Sequence, residues 1–82
     1  MAECPLCKAE RKTRWYYEDE LVWVADCETC GIPMIVWREH TMTVPLSGLI
    51  HMCMVIGKLF SNARVRVKQR KIKDHLHWHI EL

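Results

Sequence analysis

No internal repeat, low-complexity tract or linker breaks this 82-residue chain, and no apolar run in it is long enough to cross a bilayer. The most apolar stretch, residues 46–60, is interrupted by His51, Gly57 and Lys58. No signal-peptide pattern opens the chain, which points to a cytoplasmic protein with no membrane partner. The cysteine count is odd, five, which argues against a complete disulfide framework. Size is the other shortage. Eighty-two residues make a single domain, 1–82, whose core is small enough that a metal or covalent staple is expected.

What is present is unevenly charged. Residues 1–40 carry eight acids against five bases, a balance of −3, while residues 41–82 carry seven bases against two acids, a balance of +5. All seven of those bases (Lys58, Arg64, Arg66, Lys68, Arg70, Lys71 and Lys73) precede Asp74. So dense a cluster suits an anionic partner, phosphate above all, although a solvated strand face with no partner has the same composition.

Local patterns divide the chain. Trp15 to Asp26 reads as a short strand, an acidic turn at Glu18–Glu20 and a second strand over Leu21–Ala25. Gly31 then leads a β-rich run over Ile32–Arg38. Pro45 with Leu46–Ser47 marks a helix start, and Leu46, Leu49, Ile50, Cys53, Ile56, Leu59 and Phe60 recur at helical spacing up to a stop at Ser61–Asn62. A hairpin closes the chain. ARVRVKQ alternates Arg64, Arg66 and Lys68 with Val65 and Val67, and HLHWHIEL returns alongside it. The expectation is an α+β domain: a mostly antiparallel sheet of about five strands with one helix on one face. The apolar side of the hairpin would hold Val65, Val67, Leu76, Trp78 and Ile80, leaving the arginines and histidines together on a polar face.

The strongest motif is a pair of Cys-x-x-Cys knuckles, Cys4–Cys7 and Cys27–Cys30, at a separation that reads as a zinc site. A two-residue gap lets both thiolates of a turn reach one ion at about 2.3 Å, and two such turns complete a tetrahedron. Gly31 after the second pair allows the tight backbone such a turn needs. A redox dithiol is the competing reading of either pair. Cys53, within the apolar helix, is expected to be a small core residue.

The closing HLHWHIEL places His75, His77 and His79 at i, i+2 and i+4, in a row on one face of a strand. Imidazoles beside Arg64, Arg66 and Lys68 would make a cradle for phosphate oxygens. This run resembles the His-φ-His-φ-His-φ-φ signature of the histidine-triad (HIT) superfamily of nucleotide-binding hydrolases and transferases, with Glu81 in place of an apolar residue. Tyr17–Asp26, Gly31–His40, the helix and the final hairpin follow a similar order.

The resemblance implies a site for a nucleotide or another phosphate-containing small molecule. His77 would attack the α-phosphorus to give a nucleotidyl-histidine intermediate, His79 would orient the phosphate or leaving group, and His75 completes the row. Arg64, Arg66, Lys68 and His40 would contact phosphate. It also implies a tendency to homodimerise through the sheet edge, and an alternative zinc set of Cys4, Cys7, His40 and His75. The residues alone favour Zn2+ on Cys4, Cys7, Cys27 and Cys30, because four thiolates leave no vacancy for imidazole. A noncatalytic zinc-stapled module that binds nucleic acid through its basic strand is the other functional reading.

Overall fold

A computed structural model describes residues 6, 13–27, 31–67 and 75–81. Five strands and one helix make up the described fold, in the order β1 (Trp15–Glu18), β2 (Val22–Asp26), β3 (Pro33–Trp37), α1 (Leu46–Leu59), β4 (Arg64–Arg66) and β5 (His77–Glu81). All strand pairings are antiparallel and the sheet order is β1-β2-β3-β5-β4. The histidine strand is therefore interior, with β3 on one side and β4 on the other. β-Branched and aromatic residues dominate β2 and β3, where a pleated surface accepts them best.

Two turns give the sheet its register. At the β1–β2 turn the Asp19 carboxylate Oδ1 accepts from the amides of Leu21 and Val22, each at 2.8 Å. At the β2–β3 turn Gly31 adopts φ +74°, its amide donates to the Cys27 carbonyl at 2.9 Å, and the Cys27 amide donates to the Ile32 carbonyl at 2.8 Å. A positive φ is costly for a residue with a Cβ, which explains the glycine. Helix α1 starts after Pro45 and ends as anticipated, with Asn62 in the left-handed region.

Both faces of the sheet are covered, which the alternating pattern did not anticipate. One cluster joins the helix to Val22, Val24, Ile35, Trp37, Leu76 and Ile80. A second, on the opposite face, comprises Leu6, Trp23, Ala25, Met34 and Val36, with Trp15 and Cys27 packed against it. All five residues of β3 are buried as a consequence.

Three expectations about side-chain placement are corrected. Cys53 is exposed rather than in the core, and so are Leu46 and Ile50. The helix buries Gly48, Met52, Val55 and Ile56, of which Ile56 was expected, and Leu49, Leu59 and Phe60 of the expected stripe pack against the core. Gly48 decides this: a Cβ there would lie 2.6 Å from Val44 Cγ1 and 2.8 Å from the Trp37 ring, so the helix approaches Trp37 only on its glycine face. Val65 and Val67 are exposed as well, because β4 is a three-residue edge strand that the helix does not cover. Trp78 does pack against the helix-side cluster.

Candidate functional site

The histidines do not lie on a wet face. His75 is fully buried, and His77 and His79 are only 6% and 8% exposed. His77 and His79 occupy the face of the second cluster, because cross-strand partners in an antiparallel sheet point the same way. One row across the sheet runs Trp15, Ala25, Met34, His79 and Arg66; a second runs Glu18, Trp23, Val36 and His77. Imidazole is tolerated here because each ring meets a polar partner or another ring.

Those contacts assign ring protons. His77 Nδ1 lies 2.9 Å from the carbonyl oxygen of His75. A carbonyl only accepts, so Nδ1 carries a proton and donates it to that oxygen. His75 Nε2 lies 2.5 Å from the Trp37 carbonyl, to which it donates by the same rule. His75 Nδ1 is 3.3 Å from His40 Nδ1, with the two rings edge to face at a centroid separation of 5.1 Å. The His77 and His79 rings are likewise edge to face, 5.4 Å apart. Four histidines distant in sequence or alternating along one strand thus form a connected group.

The expected phosphate contacts separate. Arg66 is the cross-strand partner of His79 and is partly buried. Arg64 is exposed and pairs with Glu81, an acid that offsets its charge locally. His40, exposed on the segment after β3, is brought to His75 rather than to the basic strand. Lys68 lies outside the described residues.

Of the four cysteines expected to hold zinc, Cys27 is described, and Cys4, Cys7 and Cys30 lie outside the described residues. Cys27 is partly buried at the second cluster, and Leu6, one of the two residues between Cys4 and Cys7, is buried in that same cluster. Among the described residues no three His, Cys, Asp or Glu side chains converge as a metal site.

A further polar group escaped the sequence reading. His51 sits partly buried on the helix with Nε2 2.6 Å from Asp19 Oδ2, and the Tyr17 hydroxyl donates to the same oxygen at 2.8 Å. Burial raises the Asp19 pKa, but the Val22 and Leu21 amides, His51 and Tyr17 together outweigh it and hold the carboxyl at about 2. The hydrogen bond to Asp26, at 2.7 Å, raises the Tyr16 pKa in turn. An aspartate at the first position of a tight turn was the one available signal for the Asp19 group. On the histidine face, Trp15 and Trp23 stack at 4.9 Å and an interplanar angle of 9°. Comparison with protein-family models, curated proteins and solved structures finds no match to this chain.

Proposed function

We propose that this is a zinc-bearing, HIT-like phosphohydrolase or nucleotidyl transferase whose nucleophile is His77. The observation that carries the reading is the His77 contact: Nδ1 lies 2.9 Å from the His75 carbonyl, which fixes the ring and makes Nε2 the nitrogen that would bond to phosphorus. Nε2 would form a bond to the α-phosphorus of a nucleoside phosphate or phosphoramidate as the bond to the leaving group breaks. Water, or an acceptor alcohol or phosphate, then cleaves the P–N bond and returns His77 to its neutral form. His79 beside His77, and Arg66 across from His79, supply donors and positive charge for the phosphoryl oxygens. The apolar floor of Trp23, Ala25, Met34 and Val36 suits the less polar part of a nucleoside.

Zinc in this reading is structural and bound by Cys4, Cys7, Cys27 and Cys30. It is supported by the burial of Leu6 in the cluster on which Cys27 packs, and by the left-handed Gly31 that tightens the second knuckle. The nucleic-acid reading draws less from the geometry, because Arg64 faces Glu81 and Trp78 packs on the helix side. A homodimer belongs to the proposal too, through the helix and not the sheet edge that the resemblance implies: Leu46, Ile50 and Met54 are 72%, 51% and 57% exposed along one helix face.

The deciding experiment is turnover of model nucleoside phosphoramidates by wild type and His77→Ala, with trapping of a phosphohistidine adduct. Loss of activity by a factor of about 1000 or more in the variant is expected of a covalent nucleophile. Equal turnover by the two proteins removes the reading.

A further inference from the structure

The two outer strands of the sheet are built differently. β1 is blunted: its pairing with β2 shifts register between Trp15 and Tyr17, and the acidic turn Glu18–Glu20 follows. A bulge and clustered charge are ordinary protections of a sheet edge. β4 pairs with β5 in unbroken register instead, Arg64 with Glu81, Val65 with Ile80 and Arg66 with His79. Its other edge has no strand partner among the described residues.

Two kinds of side chain line this edge. Val65 shares the helix-side face with Ile80, yet it is 38% exposed, and Val67, past the last paired residue, is 61% exposed. Arg64 and Arg66 project to the other face, and Arg64 is exposed. The surrounding chain is one-signed, since positions 40–73 hold seven bases and no acid. Glu81 across from Arg64 offsets one of those charges and leaves six. Like charge along an edge repels a second copy of the same strand and favours a strand of opposite sign. The exposed valines add a demand that a phosphate chain does not meet: apolar side chains at every second position, on the face away from the charges.

We propose that β4 captures an extended acidic peptide, which joins the sheet as a further strand. Its acidic side chains lie over Arg64 and Arg66, and its alternate apolar side chains lie over Val65 and Val67. Main-chain hydrogen bonds supply the affinity, and the alternation supplies the selection. This docking edge does not rest on the nucleophile reading of His77.

The test is amide NMR of the full chain titrated with a soluble peptide that alternates glutamate with valine. Shifts and slowed hydrogen exchange are expected at the amides of Arg64 to Val67. A fully N-methylated peptide keeps every charge but has no backbone donors, and it should not bind. Lysine in place of glutamate should abolish binding as well. Arg64→Glu and Val67→Asp alter exposed side chains and should each weaken binding about fivefold or more, with the melting temperature unchanged. Equal binding of the N-methylated peptide would assign the contact to charge alone and overturn strand addition. Undiminished binding by both variants would place the peptide elsewhere. A single-stranded oligonucleotide that displaces the peptide and binds more tightly would reassign the strand to nucleic acid. No binding by the glutamate–valine peptide removes the site.

Discussion

The Asp19 carboxylate gathers several hydrogen bonds at one turn, and its effect should be measurable as a dependence of stability on pH. Two turn amides, His51 and Tyr17 all meet its carboxylate. Its folded pKa of about 2 lies below the unfolded value of 3.8, so the stabilisation is present above about pH 4 and is lost as pH falls toward 2. With the side chain 22% exposed, the contribution is about 1–2 kcal/mol after allowance for solvent screening. Urea unfolding of wild type and Asp19→Ala at pH 7 and pH 3 should show a gap that narrows at the lower pH. A gap of constant size would assign the effect to packing alone. At the same scale, the presence of three alternating histidines was legible in the sequence, but their protonation was not. The donor nitrogens of His75 and His77 are set by carbonyls contributed by Trp37 and by His75 itself, and such contacts exist only once strands pair.

Helix α1 shows why periodicity alone mixed core positions (Leu49, Ile56, Leu59, Phe60) with exposed ones (Leu46, Ile50, Cys53). Leu46, Leu49, Ile50, Met52, Cys53, Met54, Val55, Ile56 and Leu59 surround most of its circumference, so several stripes satisfy helical spacing. Steric fit resolves the choice, since only the Gly48 side admits Trp37. A paired substitution tests this. Gly57→Ala, with nothing within 4 Å of the new Cβ, should stabilise the protein by about 0.5–1 kcal/mol through helix propensity. Gly48→Ala makes the same propensity change and should instead destabilise by about 1–3 kcal/mol, because Val44 and Trp37 must move. Denaturant midpoints of the two variants should fall on opposite sides of wild type. The strands fared better: turn residues and β-branched runs located four of the five to within a residue or two, and β4 stops at Arg66, short of the expected run. What the hairpin pattern lacked was knowledge that β5 lies between β3 and β4. Interior position pairs both edges of β5, and the second cluster on that face buries its polar-looking side.

For the molecule as a whole, the small core makes metal removal the most informative perturbation. Chelation of the proposed zinc should lower the melting temperature by about 10 °C or more, since losing only about 2 kcal/mol shifts a domain this size by that much. Restoration by one equivalent of zinc completes the measurement, and an unchanged melting temperature would deny the ion a structural role. Assembly is testable by sedimentation. The exposed Leu46, Ile50 and Met54 face should pair with a second copy, with Cys53 near the contact. Ile50→Glu should convert a dimer to a monomer without loss of fold, and Cys53 should form an intermolecular disulfide under mild oxidation in wild type. A monomeric wild type at high micromolar concentration would remove the dimer.

Composition, turn residues and alternation were enough to determine the α+β class, the element order, the helix limits and the alignment of arginines with histidines on one face of the hairpin. These are local consequences of backbone preference and of the two-residue and 3.6-residue periods. Tertiary structure alone decided that the histidine face is a second core and that the helix turns Gly48 inward. It also decided that His40 meets His75 across 35 positions of chain. Each of those depends on which surfaces exclude water from one another, a property of packed pairs of elements that no single segment carries.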